Sequence, residues 1–302
     1  MKELLKEFNS VKSRVVNLNP LTGFKTLALA RRGKRPLVKE KKECFFCPGR
    51  ERFTPPTTFA LPSEANWHVR CFKNAFPISE NHEVIVETRE HDELFQNLGD
   101  EQLAMIFEAY KNRFQDFEKR GCDCVFLFRN HGVASGASVP HEHAQIIGFN
   151  FTPELIAREV DSFSRVFRET GESILHSIIV RERSHVFARE KEFVAFTPSF
   201  ARFPFECWIA PKRHARSILD FSGGSALAFM RLLREVTRRV ARVSPDYTVA
   251  FHSAPRGVRD FHFHVEVYPR FVVWGGIELG AGVFVNPKPA RDAVKELKKK
   301  KI

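Results

Sequence analysis

Two hydrophobic periods alternate along the chain. E-V-I-V-E-T (83–88), C-V-F-L-F (124–128), Y-T-V-A-F (247–251) and H-V-E-V-Y-P-R (264–270) are short, apolar or alternating, and rich in β-branched and aromatic residues. This predicts strands. D-E-Q-L-A-M-I-F-E-A-Y-K-N-R-F, just after Gly99, and G-G-S-A-L-A-F-M-R-L-L-R-E-V-T, from Gly223, carry apolar residues near i, i+3, i+4 and i+7. Both predict amphipathic helices with one face toward a core.

The order of these segments repeats. At a constant shift of 123 positions, Glu83 falls on Glu206, His91 on His214 and His141 on His264. The first helix falls on the second, and each flanking strand on its counterpart. The unit is strand, helix, strand, turn, strand, present twice. The expected fold is α+β, with two pseudo-twofold-related halves, each an antiparallel sheet with flanking helices. The halves are placed at 1–170 and 171–302. At this shift His143 falls on Glu266 and Gln145 on Tyr268, so the chemistry is expected in the first half, with the second supporting it or binding substrate.

With 302 residues, 43% hydrophobic and 28% charged, the chain can bury a sizeable core as a soluble protein. It has no apolar run of the roughly 18–20 residues a membrane span needs. The start, M-K-E-L-L-K-E-F-N-S, lacks an apolar signal-peptide core, so a cytoplasmic location is expected. A net charge of +12 suits anionic substrates. The basic residues are scattered and no nucleic-acid-binding motif appears, which argues against nucleic acid as a partner. Scarce Gln beside abundant Arg points toward a thermophilic source.

The chemistry concentrates in N-H-G-V-A-S-G-A-S-V-P-H-E-H-A-Q (130–145). Alternate residues of an extended segment share a face, so His141, His143 and Gln145 can converge. A neutral imidazole is a nucleophile at physiological pH, and phosphorus is a suitable electrophile. Gly132, Gly136, Ser135 and Ser138 allow close backbone approach to an anion and add hydroxyl donors. The pattern points to covalent chemistry on a phosphate. Gln145 does not titrate, so it can hold a phosphoryl oxygen without activating water, which favours transfer over hydrolysis.

Six cysteines are present. Cys44 and Cys47 form C-x-x-C followed by Pro48 and Gly49, without a thioredoxin-like helix. In a cytosolic chain such a pair is more often a metal site than a disulfide. Zinc takes four ligands, and His91 and His141 are the candidates to complete the set. The Phe excess, 31 against three Tyr, reads as packing.

These motifs resemble the galactose-1-phosphate uridylyltransferase branch of the histidine triad superfamily, nearly end to end. N-P-L-T-G (19–23), R-R-G-K-R-P (31–36), C-F-F-C-P-G, the N-x-G…H-x-H-x-Q block, F-A-R-F-P-F-E with P-K-R-H, and F-H-S-A-P near H-F-H-V-E-V-Y-P-R all have counterparts in the same order. The resemblance implies that His143 is the nucleophile, with Ser138 and Gln145 holding the phosphoryl oxygens. It implies substrate contacts at Arg32, Arg35, Asn74, Phe76 and Asn130, and a zinc site at Cys44, Cys47, His91 and His141. Glu159, His252, His264 and Glu266 correspond to a second metal site for iron or zinc, with Glu266 where the family has histidine. A hexose region aligns loosely around 271–278.

The implied activity is UDP-glucose:galactose-1-phosphate uridylyltransferase, in galactose metabolism, by a ping-pong route through a uridylyl-histidine. The implied assembly is a homodimer whose sugar site the partner completes. An ADP-glucose phosphorylase, or a dinucleoside polyphosphate phosphorylase or adenylyltransferase, using the same histidine is the alternative. A non-catalytic nucleotide-binding protein is the third reading, against which the intact H-x-H-x-Q argues.

Overall fold

The computed structural model describes residues 16–27 and 44–299. A two-stranded hairpin comes first, β1 (Val16–Leu18) and β2 (Lys25–Leu27). N-P-L-T-G forms its turn, where the Asn19 side chain accepts from the backbone N–H of Leu21 at 2.9 Å.

Among the described residues, all the other strands join one sheet. They are β3 (Thr57–Leu61), β4 (Val69–Lys73), β5 (Asn81–Val86), β6 (Cys124–His131), β7 (His143–Phe149), β8 (Val186–Glu190), β9 (Phe193–Phe196), β10 (Cys207–Pro211), β11 (Tyr247–His252) and β12 (His264–Pro269). Their order is β3-β4-β5-β7-β6-β11-β12-β10-β9-β8, and every pairing is antiparallel. Five strands from each half meet edge to edge where β6 pairs with β11.

Two helices cover one face of the sheet, α1 (Asp100–Lys119) and, after α2 (Glu154–Thr170) and α3 (Ile174–Arg181), α4 (Gly223–Ala241). Asp100 and Glu101 open α1 with negative charge at its positive end. Leu103, Ile106, Phe107, Tyr110, Phe114 and Phe117 form its buried stripe. Phe229, Met230, Leu233, Val236 and Val240 form that of α4. They share one core with the inward strand residues Ile85, Leu127, Ile146, Val249, Phe251 and Val265. Each large side chain buried there contributes roughly 1.5–3 kcal/mol. The other face of the central strands is left for the site. Helices α5 (Gly276–Ala281) and α6 (Ala290–Lys298) close the chain. No helix among the described residues is long and apolar enough to cross a membrane.

The strand registers make the pseudo-twofold axis explicit. One row across the sheet reads Phe72, Val84, Gln145, Phe128, Ala250, Glu266, Trp208, Phe196. The axis passes through the Phe128–Ala250 pair, which sets Gln145 opposite Glu266. The constant shift of 123 therefore needs correcting in the strands. His264, not Glu266, is the counterpart of His143, and Gln145 matches Glu266, not Tyr268. Side-chain geometry agrees: Nδ1 of His143 bonds the carbonyl of His141 at 2.8 Å, and Nδ1 of His264 that of His262 at 3.1 Å.

Glu83 likewise does not match Glu206. Glu83 faces the helices and pairs with Arg113 at 2.9 Å, whereas Glu206 bonds the backbone N–H of Arg202 at 2.7 Å and the Trp208 indole at 3.0 Å. Val84 matches Trp208, so two residues back His82 matches Glu206. A slip of one residue turns a strand side chain to the other face, and a single offset cannot follow such slips.

Candidate active site

The loop 44–50 and the segment after β5 bring both cysteines to two histidines. Cys44 Sγ lies 3.6 Å from His141 Nδ1, and Cys47 Sγ lies 3.4 Å from His91 Nδ1 and 3.7 Å from His141 Nδ1. The four donor atoms all fall within 4.8 Å of one another. Tetrahedral zinc, with Zn–S near 2.3 Å and Zn–N near 2.0–2.1 Å, sets S···N edges of about 3.5 Å, so donor set and spacing both fit zinc. His141 Nε2 donates to the Thr88 carbonyl at 2.8 Å, leaving Nδ1 as the lone-pair nitrogen toward the sulfurs. Burial pushes the His141 imidazole down to about 4, which keeps it in the neutral form a ligand needs.

His143 opens β7 with 6% of its surface exposed. Its Nδ1–H donates to the His141 carbonyl, so Nε2 carries the lone pair. Phe46, the middle of C-F-F-C, packs edge-on against the His143 ring at 5.2 Å. The cysteine loop thus brings two thiols to the histidine pair and also walls the His143 ring.

Gln145 follows one step along the same face. Its Oε1 lies 3.0 Å from His82 Nε2 and 3.3 Å from Asn74 Nδ2. Asn74 Oδ1 accepts from the Phe76 N–H at 2.8 Å. The turn expected to meet the nucleoside thus touches the residue expected to hold the phosphoryl group. Nothing in the local sequence marks His82; its only signal is the position opposite β7 in the repeat.

The loop 132–142 carries Ser138, half-buried, into His141. Gly132 stands at φ +82, and a Cβ there would meet Asp246 Oδ1 at 2.0 Å. Only glycine fits, and the same carboxylate accepts from the Ala134 N–H at 3.0 Å. Asn130 Oδ1 accepts from the Thr248 hydroxyl at 3.1 Å. Asp246 and Thr248 belong to the second half, which thereby shapes this loop.

Beneath the site, Glu142 points to the helix face between the two histidines. Arg129 bonds Glu142 at 2.7 Å and Glu87 at 2.9 Å, and its guanidinium lies over the Phe95 ring at 3.9 Å. His131 Nδ1 reaches Glu142 at 2.9 Å. Burial pushes the Glu87 carboxyl up; it would do the same to Glu142, but Arg129 and His131 hold that carboxyl low. Removing one partner from such a buried network typically costs about 3–5 kcal/mol.

The second cluster forms as expected: Glu159, His252, His264 and Glu266 offer donor atoms within 4.8 Å of one another. Glu159 bonds His252 Nδ1 at 2.9 Å. His264 Nε2 is buried, 3.4 Å from Glu266 Oε1, with no hydrogen bond. An orphaned buried nitrogen among carboxylates fits a cation. Glu266 Oε2 also takes Arg202 at 2.8 Å and the Tyr268 hydroxyl. His262 is neither a ligand nor a surface residue. It is 1% exposed and bonds the Pro211 carbonyl at 3.1 Å and the Ser173 hydroxyl at 3.0 Å, echoing His141, with Ser173 in place of the cysteines. His214 packs edge-on against it at 5.4 Å, as His91 does against His141. Arg32 and Arg35 lie outside the described residues.

Comparison with known proteins finds relatives along nearly the whole chain. Residues 27–152 match a family described as the N-terminal domain of a domain of unknown function, DUF4931. A galactose-1-phosphate uridylyltransferase of Thermotoga maritima is 28% identical, over 94% of this chain and 98% of the relative. The chain is thus similar, over nearly its whole length, to the galactose-1-phosphate uridylyltransferases. It is also similar to the ADP-glucose phosphorylase of Arabidopsis thaliana, at 25% identity over 93% of this chain and 91% of the relative. The structure of that phosphorylase with bound ADP-glucose matches at TM-score 0.80 and 25% identity, covering 96% of this chain and 100% of that one. Both relatives are nucleotidyl-transferring enzymes, which bears out the expectation of an enzyme of that class.

Proposed function

We propose that the protein transfers a nucleoside monophosphate from a nucleotide sugar through a covalent intermediate on His143, as a UDP-glucose:hexose-1-phosphate (galactose-1-phosphate) uridylyltransferase. The observation that carries this reading is the Nδ1–H bond of His143 to the His141 carbonyl, which leaves Nε2 as a fixed nucleophile.

The Nε2 lone pair forms the N–P bond at the α-phosphorus. The P–O bond to the leaving hexose 1-phosphate breaks, and its electron pair departs on that oxygen. The phosphorylated imidazole is cationic, and the His141 carbonyl accepting from Nδ1–H stabilises it. Attack by a second sugar phosphate returns the electron pair to Nε2, giving ping-pong kinetics. Gln145, Ser138, Arg32 and Arg35 bind the phosphoryl oxygens; Asn74, Phe76 and Asn130 hold the rest of the nucleotide. Zinc, when bound, is structural, and Cys44, Cys47, His91 and His141 would hold it. Glu159, His252, His264 and Glu266 would hold a second ion, iron or zinc, outside the chemistry.

Residues 1–170 carry the reaction in this reading, and 171–302 support it. A homodimer is proposed as well, because Phe271, Val273, Ile277, Leu279, Val283 and Val285 leave apolar surface exposed in one segment of the second half. The phosphorylase relative, similar over nearly the whole chain, favours one second reading: ADP-glucose as donor and inorganic phosphate as acceptor.

Intact mass spectrometry after brief incubation with UDP-glucose or ADP-glucose, quenched in alkali, tests both. A UMP-sized adduct that His143→Gly lacks supports the uridylyltransferase, and an AMP-sized adduct supports the phosphorylase. No adduct from either at the shortest quench times overturns the covalent mechanism.

A further inference from the structure

We propose that His82 is a positioning residue that locks the Gln145 carboxamide with its NH₂ toward the transferred phosphoryl group. The inference rests on the function proposed above, and it names a residue to which nothing so far gave a part in the reaction.

The polarity of the contact follows from chemistry. His82 sits in β5 with 1% of its surface exposed. Its Nδ1 lies 3.0 Å from the Ile78 backbone nitrogen. That amide can only donate, so Nδ1 is the unprotonated acceptor. A neutral imidazole then carries its proton on Nε2. Nε2 lies 3.0 Å from Gln145, and the atom that meets an N–H must be the carboxamide oxygen.

Asn74 sets the same polarity independently. Its Oδ1 accepts from the Phe76 N–H at 2.8 Å, so its NH₂ points away from that amide and lies 3.3 Å from the same Gln145 oxygen. That NH₂ also lies 3.2 Å from His82 Nε2; with the Ile78 N–H fixing Nδ1 as the acceptor, these two nitrogens are both donors converging on that oxygen. Two backbone amides, at 76 and 78, thus dictate through two side chains which end of Gln145 is held. Nε2 of Gln145 makes no hydrogen bond among the described residues and is not an orphaned buried atom.

A carboxamide needs this because its two ends are almost the same shape. Turned over, Gln145 would present oxygen lone pairs to an anionic phosphoryl group. Held as it is, it presents N–H donors. At the equivalent places in the second half stand Glu206 and Glu266, both carboxylates near Arg202. Neither can donate, and no donor of that kind is built there.

A double-mutant cycle tests the proposal. The rate of nucleotidyl-adduct formation at saturating nucleotide sugar is measured for wild type, His82→Phe, Gln145→Ala and the double variant. His82→Phe should slow the step by roughly 10- to 100-fold, the range of a hydrogen bond to a charged group. In the Gln145→Ala background it should cost less than about 3-fold, because its effect passes through Gln145. Equal losses in both backgrounds would show a merely structural role and overturn the proposal.

Nitrogen NMR of the His82 ring in the unmodified protein needs neither substrate nor a folded variant. A proton on Nε2 with Nδ1 bare supports the lock, and a proton on Nδ1, or on both, overturns it. If wild type forms no adduct with UDP-glucose or ADP-glucose, the proposed function has failed, and the ring tautomer still decides the hydrogen-bond polarity.

Discussion

Gln145 and Glu266 stand in the same row of the sheet, three strands apart and related by the axis through Phe128 and Ala250. At strand spacings near 4.8 Å they are about 15 Å apart. Each follows a histidine whose Nδ1 bonds the carbonyl two residues back. The backbone scaffold is the same, but the polarity is opposite. Around Gln145 the neutral groups His82 and Asn74 arrange donors. Around Glu266 stand Glu159, Glu206, His252 and His264, with Arg202 and Tyr268. A donor array suits a phosphoryl group and a carboxylate cluster suits a cation. One amide-to-carboxylate difference at the third position, with its neighbours, separates the two kinds of site.

His143, the proposed nucleophile, provides the sharpest test of that contrast. His143→Ala should abolish the adduct and lower turnover by at least about 10³-fold, while His264→Ala still forms the adduct. An adduct on His264 in the intact protein would overturn the assignment of chemistry to the first half. Changing polarity without removing the nucleophile comes next. Gln145→Glu replaces donors with an anion facing the phosphate, and adduct formation should slow on the order of 10²–10³-fold. A rate within a few fold of wild type would remove Gln145 from the reaction.

Metal retention should separate the halves in a different way. Cys44→Ser should release zinc to a chelator that spares wild type, and lower Tm by roughly 5–10 °C, as expected for about 2–3 kcal/mol in a domain of this size. Glu266→Gln should leave that zinc in place and weaken uptake of added iron or zinc at the second cluster. Zinc content by elemental analysis, unchanged in Cys44→Ser, would sink the four-ligand site. The smallest effect concerns the seam. Thr248→Val removes the hydroxyl that holds Asn130, worth about 1 kcal/mol, or roughly 5-fold in nucleotide-sugar affinity. No change in Kd would mean that the second half does not help shape the substrate loop.

Some of this site was readable along the chain. Cys44 and Cys47, or His141, His143 and Gln145, are near neighbours in sequence, so their spacing alone predicts convergence. Polar partners from distant segments were not readable. Asn74 meets Gln145 across 71 residues, His82 across 63, and Thr248 meets Asn130 across 118. Glu142 showed the same limit. Between two histidines it looks like part of the motif, yet alternation sends it to the helix side, where Arg129 and His131 take it.

The repeat was readable in its order of elements, and the two halves, their antiparallel strands and their amphipathic helices follow from hydrophobic period alone. Its register was not, because a shift that suits the helices runs one or two residues out in the strands. There period 2 makes every residue of error change the face or the partner. The sequence by itself determined the elements, the neighbourhood of His143 and the residue types of the cysteine–histidine cluster, since each is encoded by local spacing. Tertiary structure decided that the halves fuse through β6 and β11, that His264 is the true counterpart of His143, and which way Gln145 points. Those depend on pairing between strands and on hydrogen-bond polarity passed from one side chain to the next, which no local spacing records.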